Sequence, residues 1–291
     1  FISSVIEACS KSSIDFFIPS SEEECKAVSD NIDLFNANSI DTSIGNSEIV
    51  DVMTDKFSFL DYLDNNGVDV GRFYSINLLD DVLKSLNNLG YPENKVVLKP
   101  RNGSGSRGVL IVDSDLKVLN EIIPDRNCAE GNIELIVEYA KNNKIDFSSY
   151  MAMEYYSGDV YDIDCVARDG NAINVVPRLR KYDNPLSPYN EGCIISQDKN
   201  IISYVSDVIS ALQCHGACDF DIAIDSLGRP RIIDASTRLS GSVAASKLAG
   251  INIPAQLVRI IKRMPTKQYN PLDKVCVRPA KIFIEVLDCG Q

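Results

Sequence analysis

Three glycines in six residues, set between two short apolar runs, constrain this chain more than any other feature. Gly103, Gly105 and Gly108 form a G-x-G-x-x-G pattern between Val96-Val97-Leu98-Lys99 and Val109-Leu110-Ile111-Val112. The pattern alone is common, and its surroundings decide which fold uses it. A dinucleotide-binding loop must open a helix, whereas here the chain continues as a strand. A P-loop requires Lys and then Ser or Thr after its last glycine, and Val109 stands there instead. A kinase glycine hairpin is accompanied by H-R-D and D-F-G, and neither follows. What remains is a strand–loop–strand unit whose backbone N–H groups can fold over phosphates where side chains would clash. Lys99, at the end of the incoming strand, is placed to reach a phosphate oxygen or a base. The plain alternative is a flexible hairpin with a surface lysine.

Two further segments carry chemistry. Ala217 to Asp225 and Arg229 to Asp234 read as a hairpin around Ser226-Leu227-Gly228. Asp221 and Asp234 then lie on paired strands near its open end, where like charges repel unless a cation intervenes. Mg²⁺ suits that position, because it takes a few carboxylate oxygens together with substrate phosphates. Arg238 follows on a Ser- and Gly-rich loop suited to anions, Ser240-Gly241-Ser242. The alternative is a solvated acidic hairpin. The second segment, Met151-Ala152-Met153-Glu154-Tyr155-Tyr156-Ser157-Gly158, is an apolar strand running into an aromatic edge and a glycine turn. Such an edge can read an adenine with backbone groups and flat apolar contacts, or be a core strand and nothing more.

The rest of the chain reads as mixed α and β. Helices are expected over Phe1–Ser10, Glu22–Asn31, Val50–Leu63, Leu78–Leu89, Leu116–Ile123, Ile133–Asn142, Ile201–Cys214, Val243–Gly250 and Ile253–Met264. Strands are expected over Ile14–Ile18, Lys95–Lys99, Val109–Val112, Met151–Tyr156, Val160–Arg168, Ala172–Arg180, Gly192–Ser196 and Val275–Leu287. The sequence opens without Met, inside the second half of a strand–helix–strand unit, so a preceding N-terminal segment is expected. The formal charge of −12 over 291 residues argues against nucleic acid or an anionic membrane as partner. No apolar stretch is long enough to span a bilayer. The nine cysteines have no paired spacing and read as reduced thiols of a cytoplasmic protein. Cys214, His215 and Cys218 lack a fourth partner for a metal and read as a buried helix end, and no nucleophile motif makes His215 a base.

Taken in order, these segments resemble the ATP-grasp superfamily: a glycine hairpin after a strand lysine, an E-Y-x-x-G hinge, and an acidic hairpin ending in D-x-x-x-R-x-S-G. The branch that looks most similar is that of the carbamoyl phosphate synthase large subunit and single-domain carboxylate–amine ligases. The resemblance runs from about Ile14 to Ile261 and includes Asp55-Lys56 and Ala249-Gly250-Ile251-Asn252-Ile253-Pro254. It implies an α+β, α/β ATP-grasp fold, two α+β subdomains clasping ATP behind a partial Rossmann-like pre-ATP-grasp domain. The expected boundaries are residues 1–50 for that remnant, 51–155 for linker helices and lid, and 156–291 for the core with the metal hairpin.

By the same resemblance, Lys56 and Lys99 contact the ATP phosphates and base edge. Gly103, Ser104, Gly105, Ser106 and Gly108 lid the phosphates, and Glu154, Tyr155 and Tyr156 bind adenine. Asp221, Asp234 and Ser236 hold one or two Mg²⁺ ions, for which Mn²⁺ can substitute. Arg238 stabilises an acyl-phosphate, and Arg178 with Arg180 holds the substrate carboxylate unless their strand face is simply exposed. The implied activity is ATP-dependent ligation of a carboxylate to an amine or another nucleophile, in a homodimer acting on small molecules. The rivals are phosphorylation of bicarbonate or carbamate and a nucleotide-binding regulatory subunit. Two departures bear on these: Asp234-Ala235-Ser236 replaces the family's E-x-N, and Val160 stands where a ribose-binding Glu is usual, with Asp159 or Asp162 as stand-ins.

Overall fold

The computed structural model describes residues 1–103, 105, 107–181 and 192–278. The chain begins with α1 (Ile2–Lys11), β1 (Phe16–Phe17), α2 (Glu22–Ser29), α3 (Ile32–Ala37) and β2 (Asp41–Thr42). The two short strands pair in parallel. Ser21 caps α2 by accepting from the Glu24 N–H at 3.2 Å, and three glutamates occupy its positive first turn. Cys25, Val28, Phe35 and Ile40 form a small core that also holds Ile44 and Val50.

The helix expected over Val50–Leu63 is two helices, α4 (Ser47–Thr54) and α5 (Lys56–Asn65). Asp55 divides them. Its backbone is extended, and its carboxylate accepts from the Ser58 N–H at 2.9 Å while pairing with Arg101 at 2.8 Å. An aspartate that caps the next helix cannot also continue the last one. The break sets Lys56 at the first position of α5, with its backbone N–H donating to the Arg101 carbonyl at 2.8 Å.

Next come β3 (Phe73–Ser75), α6 (Leu79–Leu89), β4 (Val96–Pro100), β5 (Leu110–Val112), β6 (Asn120–Ile123), β7 (Cys128–Gly131), α7 (Ile133–Asn142) and β8 (Tyr150–Glu154). They make a six-stranded lid sheet in the order β3-β8-β4-β5-β7-β6, with Val82, Leu86, Leu89, Ile136 and Ala140 of the two helices packed on it. β4 and β5 form the expected antiparallel hairpin, Val97 opposite Ile111. The helix expected over Leu116–Ile123 is absent: its second half is β6, the edge strand, paired antiparallel to β7. Neither β3 nor β7 was expected from the sequence.

The second six-stranded sheet is built from β9 (Val160–Arg168), β10 (Asn171–Arg180), β11 (Cys193–Ile195), β12 (Gly216–Ile224), β13 (Pro230–Ser236) and β14 (Cys276–Val277), in the order β13-β12-β9-β10-β11-β14. The helices α8 (Lys199–Ala211), α9 (Ala244–Leu248) and α10 (Ile253–Ile261) complete it. Of the strand expected over Val275–Leu287, the described part is β14, and residues 279–291 lie outside the described residues. Strand alternation gives this sheet two different faces. Ile163, Cys165, Phe220, Ile222 and Ile232 meet Val205, Val208 and Ile209 of α8. The other face starts apolar, with Val166, Val176 and Ala217 against Leu257 and Ile260 of α10. Along the same strands it turns charged, through Asp164 and Asp162 on β9, Asp219 and Asp221 on β12, and Arg178 and Arg180 on β10.

Among the described residues no helix is long and apolar enough to cross a membrane. The described cysteines are free, and all but Cys276 are buried.

Candidate active site

Between the two sheets lies a cavity lined by Lys99, Gly103, Arg107, Ile111 and Glu154 from the lid, Tyr155 and Tyr156 from the connection, and Val160, Arg180, Asp221, Ile233 and Asp234 from the core. Lys56 enters it from α5. The two lysines cross the cavity. Lys99, 6% exposed, donates from Nζ to the Ile233 carbonyl on β13. Burial pushes its ammonium down to about 8, and Lys56 adds to this against the pull of Asp234 and Asp221. Lys56 donates to the Gly103 carbonyl and lies 3.3 Å from Asp234. Both ammonium groups thus tie lid to core at the place where anionic phosphates would be neutralised.

The glycine loop is fastened at several points, with Lys56 donating to the Gly103 carbonyl and Arg126 to the Gly105 carbonyl. The Gly108 N–H donates to the Arg126 carbonyl at 2.7 Å, and the Tyr150 hydroxyl donates to the Gly108 carbonyl at 3.0 Å. Gly108 has φ +72°, and a Cβ there would meet Tyr150 Oη at 2.6 Å and Pro100 Cγ at 2.9 Å. Gly108→Ala is therefore expected to cost about 1–2 kcal/mol from backbone strain alone, read as a lowered thermal midpoint, and to weaken ATP binding about tenfold, a further ~1.4 kcal/mol. A melting curve and an isotherm matching wild type would exclude that packing. Ser104 and Ser106 lie outside the described residues. Arg107, which lines the cavity, was missed from the sequence, although an arginine inside a phosphate-type loop is itself a signal.

At the hinge, the Glu154 carboxylate is already committed. It accepts from Arg72 Nε at 2.7 Å and from the Arg72 N–H at 3.1 Å. The Tyr156 hydroxyl donates to the Val70 carbonyl at 3.3 Å. What the hinge offers a base is backbone and ring surface rather than a free carboxylate. The turn after it sits hard on the core sheet: the Gly158 N–H donates to the Ile224 carbonyl at 3.1 Å, and a Cβ on Gly158 would fall 2.5 Å from that oxygen.

Asp221 and Asp234 lie on paired strands as expected, and the structure sets them directly opposite each other. A bulge follows Asp221, which keeps Asp234 on the cavity side while Ile232 stays in the core. Arg180 bridges the carboxylates, 2.7 Å from Asp221 and bonded to Asp162. Burial pushes the Asp221 carboxyl up to about 6, against Arg180 and with the help of Asp162 and Asp234. Ser236 is 7% exposed, and its Oγ has no hydrogen-bond partner. Among the described residues no three His, Cys, Asp or Glu side chains converge as a ready-made metal cage. The donors at the hairpin are oxygens only, which fits Mg²⁺, an ion that completes its shell with phosphate and water.

Arg178 and Arg180 are not an exposed strand face, and they have different surroundings. Arg180 lines the cavity. Arg178 lies outside it, fully buried: Nη1 donates to Ser242 Oγ at 2.6 Å, Nη2 to Asp164 Oδ1 at 3.1 Å, and Nε is 3.0 Å from Asp164 Oδ2. Arg238 donates to the Leu239 carbonyl at 3.0 Å. It shares the seam beside α2 with Glu22, whose carboxyl is raised by burial and by Asp234 and held back by Lys56 and Arg238. Val160 lines the cavity, whereas Asp162 turns to Arg180. His215 pairs with Asp169 at 2.7 Å, and Cys214 and Cys218 are buried thiols.

Two sheets of this make, closing on a cavity with a glycine hairpin over one wall and an acidic hairpin on the other, are the ATP-grasp fold. A family model described as "ATP-grasp in the biosynthetic pathway with Ter operon" matches residues 146–281, a little under half of the chain. The biotin carboxylase domain dimer of Hydrogenobacter thermophilus 2-oxoglutarate carboxylase, solved with MgADP, ADP and bicarbonate, superposes with a TM-score of 0.70 at 15% identity, covering 93% of this chain and 59% of that one. N5-carboxyaminoimidazole ribonucleotide synthetase from Thermotoga maritima gives 0.59 at 16%, covering 92% and 64%. L-amino acid ligase from Bacillus licheniformis gives 0.53 at 17%, covering 83% and 61%. The chain thus spans 59–64% of the length of these structures. No curated protein matches it. The fold expected from the motifs holds.

Proposed function

We propose that this chain binds Mg-ATP in the cavity and activates a carboxylate for ligation. The observation that carries the reading is the joint lining of one cavity by Lys56, Lys99, the glycine hairpin, the hinge tyrosines and the Asp221–Asp234 pair. In support, similar folds were crystallised with MgADP and bicarbonate. Adenine lies on the Tyr155–Tyr156 edge, and the phosphates lie under Gly103–Gly108 between the two lysines. Asp221, Asp234 and Ser236 would hold Mg²⁺ or Mn²⁺, which would neutralise phosphate charge. Arg180, facing the cavity, takes the substrate carboxylate in place of Arg178, and Arg238 steadies the acyl-phosphate.

The chemistry runs in two steps. A carboxylate oxygen attacks the γ-phosphorus, the bond to the β,γ-bridging oxygen breaks, and ADP leaves. An amine nitrogen then attacks the acyl carbon, phosphate leaves, and the amine proton passes to solvent. The closed lid keeps water from the acyl-phosphate in between. Domain boundaries near residues 50 and 155, a homodimer like the H. thermophilus domain, and a cytoplasmic setting belong to the same proposal.

Calorimetry of ATP with and without Mg²⁺ tests it. The expected result is binding that tightens at least tenfold with Mg²⁺, about 1.4 kcal/mol, with ADP release once a carboxylate and an amine are supplied. Binding indifferent to Mg²⁺ would turn the reading towards a nucleotide-binding regulatory chain, which the Ser236 and Val160 departures favour. Absence of binding would end it.

A further inference from the structure

The charged face of the core sheet carries one carboxylate that the site described above does not use. Asp219 lies opposite Ser236 on β13 and opposite Asp164 on β9. Its Oδ1 is buried and has no hydrogen-bond partner, and neither has the Oγ of Ser236 across from it. The neighbouring cations have other partners nearer to hand. Arg178 is held by Asp164, Ser240 and Ser242, and Arg180 by Asp162 and Asp221. Lys56 lies against Asp234 and Gly103, and Lys99 donates to Ile233. Asp164 needs nothing more from this side, because Ser240, Ser246 and Arg178 all reach its carboxylate.

Two orphan oxygens therefore face each other across adjacent strands, in the row next to the Asp221–Asp234 row. In a pleated pair, directly opposed side chains stand about 4.5–5.5 Å apart and the next pair on the same face is ~7 Å along the strand. Oxygens so spaced can converge on a small hard cation, which prefers carboxylate and other oxygen ligands. A water alone would satisfy the hydroxyl, but it would bring no charge to offset the repulsion of Asp219 by Asp164, Asp221 and Asp162, against which Arg178 pulls.

We propose that Asp219 is a cation ligand of this chain, forming with Ser236 the inner end of the site that Asp234 and Asp221 begin. This rests on the Mg-ATP reading above and deepens it. The exchange of an amide for a serine at position 236 then has a structural counterpart. The short hydroxyl reaches less far, and the carboxylate across from it supplies both the reach and the charge.

Mn²⁺ as the probe separates the possibilities. Free Mn²⁺ is followed by electron paramagnetic resonance on the full chain, with and without a non-hydrolysable ATP analogue, for wild type, Asp219→Asn, Ser236→Ala and the pair Asp219→Asn with Ser236→Asn. Nucleotide affinity without metal is measured by calorimetry and folding by thermal melting. Asp219→Asn is expected to weaken the nucleotide-dependent Mn²⁺ at least tenfold and Ser236→Ala about threefold, with metal-free nucleotide affinity within about twofold of wild type. The paired variant, which puts an amide carbonyl at 236, is expected to regain most of the loss. Folded Asp219→Asn that holds Mn²⁺ within about twofold of wild type overturns the assignment of Asp219 and leaves the Mg-ATP reading standing. Wild type that takes up neither the analogue nor nucleotide-dependent Mn²⁺ overturns both.

Discussion

Asp234→Ala is expected to weaken Mg-ATP binding by about two orders of magnitude, some ~2.7 kcal/mol, while leaving metal-free ATP binding unchanged or tighter. The opposite signs follow from the position of Asp234. Its carboxylate stands directly across from Asp221 and 3.3 Å from Lys56. On the proposed reading, this carboxylate would join a bound cation to β13, and losing it would remove a charge that phosphates cannot replace. Without a cation, it repels the phosphates and occupies Lys56, and its removal frees that ammonium for the nucleotide. Lys99 gains too, although less directly, because its buried ammonium has both aspartates among its neighbours. Calorimetry with and without Mg²⁺ on the two proteins reads the difference. A variant weakened equally under both conditions would mean that Asp234 serves only to shape the hairpin, and the cation would have to be placed elsewhere.

The same hairpin illustrates what the sequence makes legible. Asp221 and Asp234 can be assigned to one hairpin from a turn signal and strand alternation, because its strands adjoin in sequence; counting back from the turn would set Asp221 against Ile233, and the bulge brings it opposite Asp234. The glycine loop is legible for the same local reason, its strands being neighbours in the chain. Elements whose partners are distant are harder to read. β7 is Cys128-Ala129-Glu130-Gly131, with no strand propensity to speak of, and it exists because it pairs in parallel with β5. β6 carries Leu116, Leu119, Ile122 and Ile123 in or just before it, a spacing that suits a helix face equally well. β7 decides the matter by accepting it as an edge partner. The break at Asp55 was hidden because capping and continuation use the same residue, and only the Ser58 and Arg101 contacts distinguish them. Side-chain roles follow the same rule. Arg178 and Arg180 are indistinguishable in sequence, two residues apart on one strand face. What separates them is the Ser240–Ser246 segment, which closes over Arg178 and leaves Arg180 to the cavity.

That segment makes Arg178→Met the most destabilising single change expected in the chain, at about 3–5 kcal/mol. The guanidinium is completely buried and bound by Asp164, Ser240 and Ser242. Removing it leaves the Asp164 carboxylate, 2% exposed, with hydroxyl donors but no counter-charge. The cost lies mostly in that stranded charge, so it should be relieved by removing the charge as well. Arg178→Met combined with Asp164→Leu is expected to recover more than half of the lost stability, a coupling that independent sites would not show. Recovery of stability is not expected to bring recovery of activity. Ser240, Ser242 and Ser246 use the same pair to hold the loop that carries Arg238, and an apolar pair cannot hold hydroxyls in place. The double variant should therefore fold, bind ATP with near wild-type affinity and turn over at least tenfold more slowly. Chemical denaturation of the four proteins of the cycle, followed by ATP titration and turnover on the stable ones, checks each part. Additive losses would sink the stranded-charge account, and normal turnover in a stable double variant would show that the loop keeps its shape without the cage.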